Sequence, residues 1–154
     1  HYVANKINKT NKNIELFVLL FANSATLTSK MLDHAIKIIK KTPKADSIVS
    51  VSKYNMFSPI RARKIENNQI KSFVPLKQFK NINSIRSSQG DVFFCDLSVQ
   101  IIRKRVFERM DKGMQPFQWM GKKSYPLFNS YGFDIDEQWQ KIAIEQWLKE
   151  NWHQ

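Results

Sequence analysis

The chain has 154 residues, a length typical of one globular domain, and 42% of them are hydrophobic, which indicates a packed core rather than a disordered chain. Its formal charge of +12 indicates a protein that favours anionic partners, without distinguishing nucleic acid, nucleotides, acidic sugars or a membrane surface. A single cysteine, Cys95, excludes an internal disulfide and is typical of a reducing compartment, so a cytoplasmic location is expected. No apolar run is long enough to cross a bilayer, and no membrane association is expected.

The first third of the chain alternates between strand and helix patterns. The apolar run 15–21 is typical of a strand buried on both faces, and a loop of small residues follows it. Thr28 or Ser29 is positioned to cap an amphipathic helix that ends near residue 41. Residues 45–51 are rich in β-branched side chains and predict a second strand. Strand, helix and strand joined by short links predict a right-handed parallel βαβ unit.

A basic segment and a turn signal occupy the middle of the chain. Arg61 and Arg63 are two residues apart, so one face of a strand would carry both guanidinium groups, which bind carboxylates or phosphates in a forked geometry. An exposed basic edge strand that limits aggregation explains the same pattern equally well. The pair 67–68 is Asn-Asn, a hairpin turn signal, and residues 70–74 are predicted to return as a short strand.

The last third of the chain continues the alternation. Residues 91–97 predict a buried strand, and Ser98 is expected to cap a helix whose apolar face includes Val99 and Ile101. Residues 111–126 form a long irregular segment rich in aromatic residues, and loops of that length are usually functional or lie at an interface. A terminal helix over about 137–152 is expected to turn Trp139, Ile142, Ala143, Trp147 and Leu148 inward. The pattern as a whole predicts an α/β sheet with helices on both faces.

The clearest candidate for chemistry is a pair of carboxylates. Asp134 and Asp136 follow an apolar run and precede the terminal helix, and in a strand they would share one face while Ile135 points into the core. Two neighbouring carboxylates suit Mg²⁺, which proteins commonly hold through one or two carboxylates together with substrate phosphates. The alternative is that Asp136 caps the helix and Asp134 is solvated.

Several other chemistries are disfavoured by the composition. Four glycines in all leave neither a G-x-G-x-x-G loop nor a Walker phosphate loop. Three scattered histidines do not suggest zinc chemistry. Carboxylates for a metal and basic groups for anions remain, and this combination is typical of phosphoryl or nucleotidyl transfer.

Four segments, taken together and in order, resemble the acylneuraminate (sialic acid type) cytidylyltransferases, the CMP-sugar synthetases. They are residues 19–28 (LLFANSATLT, similar to the family's LLQPTSPLRT), 46–51 (DSIVSV, similar to DSVVSV), 89–93 (QGDVF, similar to NGAIY) and 132–136 (GFDID, similar to SIDID). The resemblance extends from about residue 14 to the end of the chain. The fold it implies is a Rossmann-like nucleotidyltransferase three-layer α/β sheet.

The resemblance implies transfer of CMP from CTP to the anomeric hydroxyl of a nine-carbon 2-keto sugar acid, with release of pyrophosphate. Asp134 and Asp136 would hold the Mg²⁺ ion and act as the catalytic carboxylates. Asn23 and Ser24 would line the sugar–nucleotide crevice. Gln89 would bond the sugar, Phe93 stands where the family has a tyrosine that faces the sugar, and a basic residue near Arg86 would meet the substrate carboxylate. Independently of the resemblance, Arg61, Arg63 and Arg86 are candidates for binding a carboxylate or a phosphate.

The departures from the family pattern lead to further expectations. Phe21 and Leu27 stand where the family commonly has Gln and Arg, which indicates a divergent branch. The family's N-terminal nucleotide-binding strand and basic glycine-containing loop have no counterpart ahead of residue 14. The chain (1–154) is therefore interpreted as one truncated domain, the C-terminal portion of a longer, dimeric enzyme, with 111–126 as a dimer arm.

Two rival interpretations remain. A catalytically inactive sugar-nucleotide or anion-binding module would keep the same sheet without the transfer reaction. Nucleic-acid binding rests on the charge of +12 alone and ranks last, because the aromatic residues do not alternate with basic residues as a stacking platform would.

Overall fold

The alternation of strand and helix patterns produces a mixed α/β structure with a mixed four-stranded sheet. The structure is a computed structural model that describes residues 2–11, 13–85, 89–132 and 134–151, with the backbone alone at residues 4, 5 and 8. The chain forms two compact units, one of residues 1–51 and 95–154 and the other of residues 52–94, and each is described by itself.

The larger unit is organised on four strands in the spatial order β1-β5-β2-β6. Their bounds are β1 Leu16–Leu19, β2 Ser47–Lys53, β5 Phe93–Arg103 and β6 Ser124–Asn129. Strands β1 and β5 are antiparallel, with Leu16 opposite Arg103 and Leu19 opposite Gln100.

Hydrogen bonds show how the central strands β5 and β2 run. The Arg103 N–H donates to the Asp46 carbonyl at 2.9 Å, and the Val99 N–H donates to the Ser50 hydroxyl at 2.9 Å. The contacts therefore descend along β5 as they ascend β2, which is the antiparallel arrangement.

Strand β6 runs in the same direction as β2. The Asp46 N–H donates to the Lys123 carbonyl at 2.8 Å, and the Ser47 hydroxyl bonds the Ser124 hydroxyl at 2.9 Å, so residue numbers rise together along the two strands. Because β5 is antiparallel to β1 and to β2, the strands β1, β2 and β6 all point the same way. Their carboxyl ends meet at one edge of the sheet, called here the carboxyl edge.

One amphipathic helix packs on the sheet to form the core. Helix α2, Ser29–Lys41, begins at Thr28, whose side chain accepts a hydrogen bond from the Met31 N–H at 3.3 Å, so the predicted cap is confirmed. Its inward residues Ala35 and Ile39 are fully buried. They join a cluster of buried strand and loop residues, namely Ala45, Ile48, Val99, Ile101 and Leu127.

Three other helices are formed: α1, Tyr2–Thr10, α3, Lys104–Phe107, and α4, Gln138–Asn151. Across the described residues, no helix combines the length and the apolar character that a membrane span requires.

The prediction that a helix begins at Ser98 is wrong. Strand β5 continues through this region to Arg103, and helix α3 begins only at Lys104. Residues 98–102 are all buried, polar Gln100 included, because β5 lies between β1 and β2 in the sheet. A strand covered on both faces shows no alternation, so its apolar run is indistinguishable from that of a buried helix.

Two predictions about buried faces are also wrong. Strand β1 is four residues long rather than seven, and Val18 and Leu19 are exposed because β1 lies at the outer edge of the sheet. In α4, the side chains of Trp139 and Ile142 are 59% and 68% exposed, and Ala143 is exposed as well. Ile144 is the buried residue of this helix, with Trp147 and Leu148 partly buried.

The smaller unit contains a hairpin of β3, Arg63–Glu66, and β4, Gln69–Ser72. Asn67 and Asn68 form its turn with φ of 51° and 58°, so the predicted turn signal is confirmed. The prediction that Arg61 and Arg63 share one face of a strand is wrong. Arg61 lies in the turn before β3, where its backbone N–H donates to the Ser58 carbonyl at 3.0 Å.

Truncation of the core should be far more costly than truncation on the surface. Ile101→Ala removes a fully buried side chain from the sheet and is expected to lower the free energy of unfolding by ~2–5 kcal/mol. The control Ile142→Ala alters an exposed position of α4 and should change the free energy of unfolding by less than ~0.5 kcal/mol. Urea unfolding followed by circular dichroism measures both, and equal losses would contradict this description of the core.

Candidate functional site

Two segments that are far apart in the sequence are joined at the carboxyl edge. The loop after β1 turns back at once, with the Ser24 N–H donating to the Phe21 carbonyl at 3.1 Å. Ser24 then forms an antiparallel bridge with Asp134, and the Ile135 N–H donates to the Asn23 carbonyl at 3.1 Å. The predicted crevice residues Asn23 and Ser24 therefore lie against the predicted metal residues.

Side chains complete this junction. The Asn23 amide Nδ2 donates to Asp136 Oδ1 at 3.1 Å, which orients that carboxylate towards the loop. The Oε1 atom of Gln140 accepts from the backbone N–H groups of Asp136 and Glu137, at 2.8 and 2.6 Å. A glutamine that reaches back from the first turn to the residues before the helix forms half of a capping box. The start of α4 is thus served by Gln140, while the Asp136 carboxylate bonds Asn23.

The carboxylate of Asp134 is only partly satisfied at the junction, as is the buried Ser24 hydroxyl. The Asp134 Oδ1 atom is buried and has no hydrogen-bond partner among the residues that the structure describes. Burial raises the pKa of Asp134 above its ordinary value, and the negative charges of Asp136 and Asp96 raise it further. A buried carboxylate oxygen without a donor is unfavourable as an anion unless a proton or a cation compensates it.

Asp96 is a third acidic residue at this edge that the sequence analysis missed. It lies on β5, is 9% exposed, and accepts hydrogen bonds at Oδ1 from the Ser50 hydroxyl and from the Ser98 N–H, the latter at 3.0 Å. The Ser50 hydroxyl in turn accepts from the Val99 N–H at 2.9 Å. The only signal in the sequence was an acidic residue inside an apolar strand, since buried carboxylates are rare unless they are paired or hydrogen-bonded.

Gly132 allows the segment before Asp134 to approach Asp96. A Cβ atom at position 132 would overlap the Cβ, Cγ and Oδ2 atoms of Asp96. The absence of a side chain at Gly132 is therefore what brings Asp96 close to the Asp134 segment.

The expectation that Asp134 and Asp136 lie on a regular strand with Ile135 in the core is wrong. Strand β6 ends at Asn129, Asp134 forms an isolated bridge, and the Ile135 side chain is 41% exposed. The backbone of this segment bonds the loop after β1 instead of a long neighbouring strand, so its side chains do not follow a strand's alternation.

The other predicted substrate-binding residues that the structure describes do not take part in this junction. Arg61 and Arg63 are exposed, and the Arg63 guanidinium donates to the carbonyls of Ile60 and Ala62, both at 2.9 Å. Gln89 accepts from the Ser58 hydroxyl at 2.6 Å and donates to the Asn83 carbonyl at 3.4 Å. Phe93 is 45% exposed. Arg86 lies outside the described residues.

The donor set at the carboxyl edge suits a hard divalent cation. Among the described residues, no three His, Cys, Asp or Glu side chains are close enough together to form a complete metal cage. Mg²⁺ does not require one, because it commonly takes one or two protein carboxylates and completes its shell with water and phosphate oxygens. The unpartnered Oδ1 of Asp134 and the neighbouring Asp136 carboxylate fit that description.

Comparison with known proteins adds no assignment to this geometry. No protein-family model matches the chain, and no curated protein matches it.

The raised pKa of Asp134 predicts how stability depends on pH. Below its ordinary pKa of 3.8, Asp134 is protonated in both the folded and the unfolded chain. As pH rises through the higher pKa of Asp134 in the folded chain, the folded state is destabilised because it must carry the unfavourable ionised carboxylate. Asp134→Asn should therefore unfold at higher urea concentration than wild type at pH 7 without divalent cations, and the difference should shrink at about pH 3. Glu137→Gln, an exposed change nearby, is the matched control. A destabilised Asn variant at pH 7 would contradict the assignment.

A side chain at position 132 should disrupt the junction. Gly132→Ala forces Asp96 or the Asp134 segment to move, and overpacking of this kind typically costs ~1–3 kcal/mol. Ser130→Ala, at an exposed position two residues earlier, should leave the unfolding free energy nearly unchanged. Denaturant unfolding of the two variants makes the comparison, and equal stability would show that the approach of Gly132 to Asp96 is not tight.

Proposed function

We propose that the protein is a cytidylyltransferase that transfers CMP from CTP to a nine-carbon 2-keto sugar acid, sialic acid-like, with release of pyrophosphate. The observation that carries the proposal is the junction of Asn23 and Ser24 with Asp134 and Asp136. These are the residues of the two segments whose resemblance to the CMP-sugar synthetases implied a shared crevice and a metal.

The architecture supports a Rossmann-like nucleotidyltransferase fold as part of this proposal. Three strands point their carboxyl ends at one edge, and the junction is built from the segments that follow β1 and β6. In open α/β sheets, ligands bind in the crevice beyond the carboxyl ends of the strands. The acidic residues lie at this edge, which supports the proposal.

The proposed chemistry depends on positioning and charge neutralisation. Asp134 and Asp136 would hold Mg²⁺, which when bound neutralises charge on the nucleotide phosphates. Asn23 orients the Asp136 carboxylate through its 3.1 Å hydrogen bond, so the loop after β1 sets the direction in which that carboxylate faces. Asp96, buried and hydrogen-bonded to Ser50, adds a fixed negative charge that strengthens the preference of the site for a cation.

The remaining substrate-binding candidates of the sequence are also part of the proposal. Arg61, Arg63 and Arg86 would bind the carboxylate of the sugar acid or a phosphate, and Gln89 and Phe93 would contact the sugar. The working form would be a homodimer with residues 111–126 as the dimer arm.

The activity is tested by pyrophosphate release from CTP with nine-carbon 2-keto acids, using the complete gene product. Asp134→Asn and Asp136→Asn are each expected to lower the rate ~10²–10³-fold, because each removes a charge from the proposed metal site. Glu137→Gln, which removes a neighbouring exposed charge but keeps the backbone N–H that bonds Gln140, should retain activity. Failure of every such acid as substrate, together with unchanged behaviour of Asp134→Asn, would end the proposal.

Calorimetry distinguishes the enzyme from an inactive binding module. CTP binding that requires Mg²⁺ and is lost in Asp136→Ala supports the transferase. Binding that needs no metal and survives this substitution supports a module that retains the sheet without the reaction.

A further inference from the structure

A cavity lies at the end of the sheet opposite the carboxyl edge. It has a volume of about 340 Å³, within the range of small-molecule sites, and lies where β2 and β6 begin and β5 ends. It is named the basal pocket. Its charged lining residues are Asp46, Arg105, Glu108, Arg109, Lys112 and Lys122.

The interior of the basal pocket is organised by Asp46. Its Oδ2 atom accepts from the N–H groups of Lys122 and Lys123, both at 3.0 Å, and its Oδ1 atom lies 3.1 Å from the Arg105 guanidinium. Burial alone would raise the pKa of Asp46, but these hydrogen bonds and the Arg105 charge together hold it below its ordinary value. Asp46 is therefore an anion that is already fully compensated.

Arg105 is committed to the framework of the pocket. Besides Asp46, its guanidinium donates to the Ala45 carbonyl at 2.7 Å and to the Pro43 carbonyl at 3.2 Å. Gly121, at φ +74°, passes so close to Asp46 that a Cβ atom there would lie 2.6 Å from the Asp46 Cβ. Asp46 and Arg105 are thus held by several independent contacts to the backbone.

Three cations of the lining remain uncommitted. Within the described part of the chain, the side chains of Arg109, Lys112 and Lys122 form neither an ion pair nor a hydrogen bond. Glu108 is the one other acidic residue in the lining, so the pocket carries an excess of positive charge. Like charges gathered around a concavity focus a positive potential into it and attract anions.

We propose that the basal pocket binds a small multivalent phosphate anion, a pyrophosphate or a phosphate ester, without a divalent cation. Arg109 supplies a forked donor for two phosphate oxygens, and Lys112 and Lys122 supply point charges. A small anion fits better than nucleic acid, because a polynucleotide contacts many phosphates along an extended surface, whereas these cations line a single concavity. This site is separate from the carboxylates of the carboxyl edge and does not depend on the proposed transferase activity.

Calorimetric titration with inorganic pyrophosphate in EDTA tests the proposal. Wild type should bind saturably, and Arg109→Gln/Lys112→Gln should weaken binding about tenfold or more, since each lost charge-assisted contact removes a large share of the affinity. The matched control Lys37→Gln/Lys40→Gln removes two exposed charges of α2 that do not line the pocket, and should leave the dissociation constant nearly unchanged. Circular dichroism verifies that all variants are folded, and Lys122→Gln gives a second, independent variant.

Several outcomes would overturn the proposal. One is the absence of saturable pyrophosphate binding to the folded wild type. Another is an equal loss of pyrophosphate affinity in the pocket variant and in the α2 control, which would show that binding reflects only the overall positive charge of the protein. A single-stranded oligonucleotide that binds wild type and is not displaced by pyrophosphate would assign the positive charge to nucleic-acid binding instead.

Discussion

The candidate site depends on one junction, the contact between the loop after β1 and the segment before α4. The bridge of Ser24 with Asp134 and the hydrogen bond from the Ile135 N–H to the Asn23 carbonyl fix the backbones of the two segments. Once they are joined, the Asn23 amide reaches Asp136. Without this junction the two aspartates would lie on a free connection between β6 and α4, and no crevice residue would face them.

The junction concentrates negative charge at one edge of a strongly basic protein. Asp96 comes close to the Asp134 segment because position 132 has no side chain. Burial, together with repulsion from the Asp136 and Asp96 carboxylates, makes ionisation of Asp134 less favourable and raises its pKa. Such an arrangement sacrifices some stability, and active sites commonly do so where a ligand supplies the compensating charge.

The two ends of the sheet therefore have opposite electrostatic character. Asp134, Asp136 and Asp96 make the carboxyl edge acidic, while Arg109, Lys112 and Lys122 give the basal pocket an excess of positive charge. In the basal pocket the partly buried acid Asp46 accepts hydrogen bonds from Arg105 and from backbone N–H groups, which hold its pKa below the ordinary value. Asp46 and Asp134 thus differ although both are aspartates: the fold supplies hydrogen-bond donors to Asp46, whereas Asp134 Oδ1 has no donor among the described residues.

The sequence by itself determined the local features: the Thr28 cap, the Asn67-Asn68 turn and the strand at Ser47–Lys53. These follow from backbone preferences and side-chain chemistry within a few residues. Only the tertiary structure decided that β5 continues to Arg103, that Trp139 is exposed, and that Asp96 joins the acidic site beside Gly132. Those properties depend on which strand lies between which neighbours and on how closely distant segments approach, and a local pattern carries no information about either.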